Sequence, residues 1–430
     1  MSSAIPSVSQ PTIDGKKDAH EKNVPSSSEP DYIDYPDGGT RAWLIVIGTF
    51  LARFATFGFV NSWGVFQSYY EENLLRGTSP STIAWIGSVQ YSLCFLPGLV
   101  TGRLLDIGIF KIPLAIASAV IVACCFIIAE CTQYWQLLLC QGFALGLASG
   151  AVFVPSMGVI AHWFKHRRGL ALGVTGAGSS VGATILPIAA RRLIPQVGFP
   201  WTMRIIGFIL LFVLLVPNLT LDRRLPPARV TGGLLNLKAF KSPPLAVYSF
   251  AIWVSFLGLS TVLTYIDIGA VKHGISPDFS FYLVSITNAA SGFGRISSGI
   301  VMDRLGPINY FVPMSFIAAV LTYAWPFARN IGSLVVVSIV YGFCSGAFVS
   351  SFLMPVYEMG ETSDIGRRTG MVMSIASIGA LVGSPISGAI SQSAGGFEAV
   401  GYYAGTMILF AAFLMAVTKY LVLRSLKGKL

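Results

Sequence analysis

Two arginines stand inside long apolar stretches of this 430-residue chain, at Arg53 and Arg295. A charged side chain at the centre of a membrane helix costs roughly 2.5–3.5 kcal/mol, so such residues usually have a function or a buried partner. A guanidinium group donates paired hydrogen bonds to carboxylate or phosphate oxygens. The two arginines therefore indicate either binding of an anionic small molecule or a structural ion pair within the protein.

Each arginine has an asparagine about two helical turns away. Asn288 precedes Arg295 by seven residues, and Asn61 follows Arg53 by eight. On a regular helix these spacings put each amide on nearly the same face as its arginine. The apolar stretch that contains Arg295 ends about nine residues beyond it. At 1.5 Å per helical residue, Arg295 therefore lies about 13 Å from the end of the predicted helix. We predict that Arg295, Asn288, Asn61 and Arg53 line a site near the middle of a membrane.

Other kinds of chemistry have no support in the sequence. It has no HExxH motif, no nucleophile and base at catalytic spacing, and no phosphate-binding loop with Gly-Lys-Ser/Thr. The six cysteines lack CxxC spacing and a nearby histidine, so we interpret them as small packing residues. We therefore expect no catalytic residues, no metal and no cofactor, and the protein is not predicted to be an enzyme.

The amino-acid composition indicates that these arginines and asparagines belong to a membrane protein. Hydrophobic residues make up 54% of the chain and charged residues 11%, against about 25% charged in soluble domains. Apolar stretches of about 20 residues, the length that crosses a hydrocarbon core, recur after residue 41. We predict an all-α membrane protein with twelve transmembrane helices. The net charge of +10 is spread over short loops, so nucleic-acid binding is not expected.

Polar segments divide the chain into parts. The longest polar break after the N-terminal tail is 222–244, and it separates six predicted helices from six. The parts are a disordered cytoplasmic tail at 1–40, a bundle at 41–221, a cytoplasmic loop at 222–244, a bundle at 245–424 and a short cytoplasmic tail at 425–430. Lys and Arg concentrate in these tails, the central loop and alternate short loops, which places both termini in the cytoplasm. Arg191 and Arg192 are the exception.

A loop motif occurs twice, at equivalent places six helices apart. The first copy contains Gly102, Asp106 and Gly108, and the second contains Gly299, Asp303, Arg304 and Gly306. The leading glycine permits close approach of two helices, and the last permits a tight turn. The aspartate can accept hydrogen bonds from the N-terminus of a neighbouring helix. Two copies in register indicate an internal repeat, and we predict that they stabilise one closed end of the protein.

The repeated loop and the arrangement of six plus six helices resemble the major facilitator superfamily. Asp37–Trp43 and Trp163–Gly173 resemble the two signatures of its monocarboxylate-porter family, in the fungal form. The resemblance implies two six-helix bundles around a central cavity, with carboxylate binding associated with an arginine at Arg295. Two positions depart from the animal members: Asn61 stands where they have a lysine, and Ser291 where they have an aspartate.

The combined expectation is a secondary active or facilitative transporter that works by alternating access. Its substrate would be a small organic solute, a monocarboxylate-like anion or a related metabolite, and proton coupling is left open. The alternative is a nutrient sensor that keeps the carrier fold without transport. The expected partners are the substrate, the lipid bilayer and H⁺ if coupling exists. The family favours the plasma membrane, with an organelle membrane as the alternative.

Overall fold

The computed structural model describes residues 36–224, 233, 235–360, 364–393, 396–425 and 427–429. Most of the predicted N-terminal tail, a large part of the central loop and two of the last residues lie outside this range. We call residues 36–224 the N-terminal half and residues 235–429 the C-terminal half.

Long helices account for nearly all of the described chain, and no β-strand occurs in it. In the N-terminal half they are α1 (Gly39–Leu74), α2 (Pro80–Ile107), α3 (Lys111–Ile128), α4 (Tyr134–Trp163) and a continuous stretch, Arg168–Thr220. A short 3₁₀ helix, Leu237–Lys241, opens the C-terminal half. It is followed by α7 (Pro243–Lys272), α8 (Pro277–Leu305), α9 (Pro307–Phe327), α10 (Ile331–Glu358), α11 (Ile365–Ser393) and α12 (Glu398–Leu423).

The stretch Arg168–Thr220 contains two membrane-length segments. Its 53 residues would span about 80 Å as one straight helix, far more than a bilayer core. The backbone leaves the helical region at Gly198, where φ is 79° and ψ is 163°. That left-handed φ is one that glycine adopts without a steric penalty. We name the part before Gly198 α5 and the part after it α6.

Ten helices of the described chain are long and apolar enough to cross a membrane. Arg168–Thr220 is one of them, and α8 is not among them although it has 29 residues. The lower hydropathy of α8 follows from its serines together with Asn288, Arg295 and Asp303. Dividing the long stretch at Gly198 and including α8 gives twelve segments.

The outer surface of the helices is apolar. Large hydrophobic side chains are exposed on the helices that lie at the periphery: Ile112 and Ile116 on α3, Phe212 and Leu219 on α6, Phe316 and Val320 on α9, and Phe413 on α12. Soluble proteins rarely expose so many large apolar side chains on continuous faces, whereas lipid tails solvate them. The protein is therefore a multi-pass membrane protein.

The two halves meet along two pairs of helices that pack through glycine. Between α2 and α11, a Cβ added to Gly102 would fall on the carbonyl oxygen of Gly366. Between α5 and α8, Gly169 and Gly299 face each other in the same way. Glycine is required at these places because the backbones approach more closely than a side chain allows.

Helix α5 also packs closely against α1 through glycine. A Cβ on Gly178 would meet the backbone of Phe50, and one on Gly182 would meet Gly58. Helix α5 is thus held between α1 on one side and α8 on the other. This arrangement brings the two helices that carry Arg53 and Arg295 to opposite sides of the same helix.

The glycine contact between α2 and α11 gives a test with a matched control. We expect Gly102→Ala to lower the melting temperature of the purified protein, because the added methyl group must displace the backbone of Gly366. Overpacking of this kind typically costs about 1–3 kcal/mol. Gly64→Ala is the control, since a Cβ at Gly64 would have no neighbour within 4 Å. Equal melting temperatures for the two variants, measured by scanning fluorimetry, would contradict the close packing.

Candidate functional site

Each aspartate of the repeated loop motif caps a helix of the other half. Asp106 accepts hydrogen bonds from the backbone N–H groups of Gly366 and Arg367, at 3.2 and 3.0 Å, at the start of α11. Asp303 accepts from the N–H groups of Gly169 and Leu170, at 2.8 and 3.0 Å, at the start of α5. A carboxylate is stabilised there by the unpaired N–H groups and the helix dipole. We call this end of the helices the aspartate end.

The glycines of the motif form tight turns or helix contacts. Gly108 and Gly306 have positive φ values of 92° and 91°, which end α2 and α8 in tight turns. Gly299 lies in the α5–α8 contact, as Gly102 does in the α2–α11 contact. Arg304 is exposed and forms no ion pair with a described residue.

A third carboxylate lies at the start of α5. Asp37 accepts hydrogen bonds from three consecutive N–H groups, those of Lys165, His166 and Arg167, at 2.7, 2.8 and 3.0 Å. Asp37 of the same half therefore holds the turn that leads into α5, and Asp303 of the other half holds the first turn of the helix. The sequence showed Asp37 only as part of a signature, because the fold is needed to bring it to α5.

Arg295 is buried and donates only to neutral oxygens. Its Nη1 group donates to the carbonyl oxygen of Gly176 at 3.1 Å and to the hydroxyl group of Ser179, both on α5. Its Nε group donates to the hydroxyl of Ser291 at 3.1 Å, one turn earlier on α8. These bonds fix the position of the guanidinium group and leave its positive charge uncompensated.

Arg53 is buried more completely, with 1% of its surface exposed, and has fewer partners. Its Nη1 group is 3.5 Å from the Thr175 hydroxyl, and its guanidinium carbon lies 5.5 Å from the centre of the Phe153 ring. Its Nε group has no hydrogen-bond acceptor among the described residues. A buried donor without an acceptor is unfavourable, so Arg53 is only partly satisfied.

Within the described part of the chain, Arg53 forms no internal ion pair. Glu130, one conceivable partner, pairs with Arg204 at 2.5 Å. Asp267, the other, accepts a hydrogen bond from the Ser280 hydroxyl. Each of these carboxylates, near the end of its helix, therefore has a partner other than Arg53.

The two guanidinium groups approach α5 one turn apart. Thr175, the partner of Arg53, and Ser179, a partner of Arg295, are separated by about 6 Å along the helix axis. Like charges that contact neighbouring turns of one helix repel each other. No described carboxylate forms an ion pair with either of them. This arrangement concentrates positive charge inside the protein, where a bound anion would be strongly attracted.

The two predicted asparagines form hydrogen bonds with carbonyl oxygens of helices. Asn288 is buried in the α5–α8 contact, with its Nδ2 group 3.5 Å from the carbonyl oxygen of Ala183. Asn61 is half-buried and donates to the carbonyl oxygen of Phe57, on its own helix, at 2.7 Å. A π-helical turn, Phe54–Gly58, separates Asn61 from Arg53.

Several polar residues at the centre were missed by the sequence analysis. Thr175 and Ser179 lie among the glycines of α5, and the sequence analysis did not select them as site residues. Ser180 is another, and its hydroxyl group donates to Ser291 at 3.3 Å across the halves. The signal that would have found them is their spacing, since they recur on the helix between its glycines.

Arg191 and Arg192, the exception to the predicted distribution of loop charge, have partners at the end of the helices opposite the aspartate end. Arg191 pairs with Asp278 at 2.9 Å, and Arg192 lies 3.5 Å from the hydroxyl group of Tyr282. Both partners are in the first turns of α8. Helices α5 and α8 are therefore connected at both ends, by the ion pair of Arg191 with Asp278 at one end and by the Asp303 cap at the other. The two arginines have partners on a neighbouring helix rather than a role in the distribution of loop charge.

Solved structures share this architecture. The crystal structure of the human organic anion transporter MFSD10 (TETRAN) is similar to the chain with a TM-score of 0.69 and 15% identity, over 88% of this chain and all of that one. The transporter FucP in its outward conformation is similar with a TM-score of 0.69 and 14% identity, over 88% of this chain and 98% of that one. At these identities the likeness shows the fold alone.

Curated relatives are similar in sequence over most of their length. MFS-type transporter 1 of an Ophiocordyceps species is 37% identical over 93% of this chain and 89% of its own. The aspyridones efflux protein apdF of Emericella nidulans is 36% identical over 92% and 81%. The agnestins efflux protein AgnL12 of Paecilomyces divaricatus is 34% identical over 85% and 84%.

The family model described as Major Facilitator Superfamily matches residues 43–357, which is most of the chain. The curated relatives of this chain are named as transporters and efflux proteins rather than as enzymes. The all-helical fold, the predicted resemblance to this superfamily and the expectation of a membrane protein are confirmed. The chain belongs to the major facilitator superfamily of membrane transporters.

Proposed function

We propose that this transporter carries a small organic anion and that Arg295 and Arg53 are its principal binding groups. The observation that supports this most directly is that the two buried guanidinium groups contact neighbouring turns of α5 and that no described carboxylate forms an ion pair with either. An anion would supply the missing negative charge and could accept from the unpaired Nε group of Arg53. Asn288 and Asn61 are proposed as secondary contacts of a larger substrate.

Export is the proposed direction. Two relatives, at 36% and 34% identity, are named as efflux proteins for compounds called aspyridones and agnestins. We propose that the aspartate end faces the cytoplasm, as the distribution of Lys and Arg predicts, and that the protein lies in the plasma membrane. With its aspartate end closed, this conformation would release substrate on the opposite side of the membrane.

Alternating access would change the two glycine contacts between the halves, α2–α11 and α5–α8, and the helix caps formed there by Asp106 and Asp303. We propose that the bundles 41–221 and 245–424 move as units about the α5 and α8 helices. The caps at Asp106 and Asp303 hold the aspartate end closed, and they must break when it opens. Because Asp303 caps α5 and Arg295 donates to α5, a single helix connects the binding groups to one cap.

The monocarboxylate-porter resemblance is supported by a contact between its two signatures. Asp37 belongs to the first signature, and the N–H groups of Lys165 and Arg167 that it accepts from belong to the second. We propose membership of the fungal branch of that family. Since no described carboxylate pairs with the central arginines, we propose that no carboxylate at this site carries a proton, and that any proton coupling uses another group.

Replacing Arg295 tests the binding site. We expect Arg295→Ala to lower the transport of organic anions into proteoliposomes by at least about tenfold, the loss typical of one hydrogen-bonded charge. Arg295→Lys keeps the charge but loses the fork of donors, so we expect an intermediate rate. The assay follows a panel of carboxylates, sulfonates and neutral solutes with and without a proton gradient.

The matched control for this test is Arg329→Ala, because Arg329 is an exposed arginine outside the site. It should transport at the wild-type rate. Wild-type transport by Arg295→Ala, at equal amounts of folded protein, would show that the site is assigned wrongly. No transport of any solute by folded wild-type protein would instead favour the sensor.

Removing one cap charge tests the closed end. We expect Asp303→Asn to increase maleimide labelling of a cysteine introduced at the buried position Met371, in a background without the native cysteines. Loss of a charge at a helix N-terminus costs about 0.3–1 kcal/mol, so the increase should be about two- to fivefold. Asp222→Asn is the control, because the ion pairs that Asp222 forms with described residues are those with exposed Arg41 and Lys111. An equal labelling rate for both variants would contradict a role of Asp303 in closure.

A further inference from the structure

An aromatic ring lies against Arg53, and further rings pack against that ring. The ring of Phe153 on α4 lies 5.5 Å from the guanidinium carbon, and the ring of Phe57 on α1 lies 4.5 Å from that of Phe153. Phe57 in turn contacts Tyr91 at 6.0 Å and Phe95 at 5.3 Å, both on α2. The charge of Arg53 therefore has an aromatic ring beside it, and no described carboxylate forms an ion pair with it.

The same cluster continues into the C-terminal half. The rings of Phe95 on α2 and Phe256 on α7 are 5.3 Å apart, and Phe256 contacts Phe352 on α10 at 5.6 Å. Among the described residues, Phe95 and Phe256 form the one ring contact that joins the two halves. We call Phe57, Tyr91, Phe95, Phe153, Phe256 and Phe352 the aromatic cluster.

The cluster flanks Arg53 directly through Phe153, whose ring centre lies 5.5 Å from the guanidinium carbon. Arg295 contacts α5 one turn from the residue that Arg53 contacts. Aromatic faces carry partial negative charge and stabilise a nearby cation, but they do not neutralise it. A ligand that brings a full negative charge is still favoured there.

The position of the cluster gives it a role in the transport path. In a carrier that works by alternating access, substrate passes between the halves, so the contact of Phe95 with Phe256 must open when the aspartate end opens. The separated rings then form walls on both sides of the path, next to the arginines. A flat conjugated ring can pack against such walls face to face or edge to face, which gains more than area burial alone.

We propose that the substrate is an organic anion that bears an aromatic or conjugated ring. Its charged group is bound by Arg295 and Arg53, and its ring packs against Phe95, Phe256 and Phe57. This inference rests on the proposed function, because it adds the ring to the anion already assigned. The competing explanation is a hydrophobic seal between the halves, which would exclude water without contacting substrate.

Three matched probes separate these explanations: benzenesulfonate, cyclohexanesulfonate and benzenesulfonamide. The first two share a permanently charged group, and the third keeps the ring without the charge. Dissociation constants are measured by isothermal titration calorimetry with the full chain in lipid nanodiscs. We expect benzenesulfonate to bind at least about threefold more tightly than cyclohexanesulfonate, although the cyclohexane ring is the more apolar. The neutral sulfonamide should bind at least about tenfold more weakly than benzenesulfonate.

Variants of the cluster assign the preference to its rings. Phe95→Leu and Phe256→Leu should bring the ratio of the two sulfonate affinities close to one, with cyclohexanesulfonate affinity within about twofold of wild type. Phe95→Tyr keeps a ring and should keep the preference. Phe126→Leu is the matched control, because the contact of Phe126 with Phe208, at 5.2 Å, joins α3 and α6 away from the arginines.

The outcomes separate this inference from the proposed function. Equal wild-type affinities for the two sulfonates, both above that for the sulfonamide, would overturn the aromatic substrate and leave the anion site standing. Failure of both sulfonates to bind would overturn the anion site too. A preference that survives Phe95→Leu and Phe256→Leu would show that other residues hold the ring. The wild-type comparison needs no variant, so a poorly folded variant does not affect it.

Discussion

A buried positive charge needs a negative charge or strong hydrogen-bond acceptors near it, and this requirement organises the centre of the protein. Arg295 meets it in part through neutral oxygens of Gly176, Ser179 and Ser291. Arg53 meets it less well, since its one hydrogen bond is long and its Nε group has no described acceptor. The cost of holding both charges inside the membrane is understandable if a substrate anion compensates for it during transport.

Close packing of glycine makes this arrangement possible. Helix α5 has glycine facing α1 at Gly178 and Gly182 and facing α8 at Gly169 and Gly173. Larger residues at these places would push α1 and α8 away, and their arginines would no longer reach the same turns of α5. The same helix begins at the cap formed by Asp303, about ten residues and 15 Å from Ser179. Binding and closure therefore depend on one rigid element with contacts to both halves.

Much of the fold could be predicted from the sequence because the bilayer restricts the choice of structure. Apolar stretches of membrane length must form helices, since their backbone groups find no partners in lipid. The repeated Asp106 and Asp303 were recognised as acceptors for helix N-termini, but which helix each one caps depends on tertiary packing. The same holds for Asp37, whose contact with α5 spans more than a hundred residues of sequence.

The site was harder to predict because side-chain direction depends on local helix geometry. Arg295 and Arg53 were found from their cost in a membrane, whereas the π turn between Arg53 and Asn61 cannot be seen in the sequence spacing. Thr175 and Ser179 were hidden among glycines, since small polar residues also serve packing. The pairing of Arg191 with Asp278 needed the neighbouring helix to be known.

The most direct test of the central claim is the melting temperature of Arg53→Met, measured without added organic anion and again with benzenesulfonate. Methionine removes the charge and keeps an apolar chain of similar length. If Arg53 is a binding group without a structural partner, the variant should melt at or above the wild-type temperature without the anion, and the anion should stabilise it less than the wild type. A large drop without the anion, of the size expected when one partner of a buried ion pair is removed, about 3–5 kcal/mol, would show that Arg53 is structural and contradict the account.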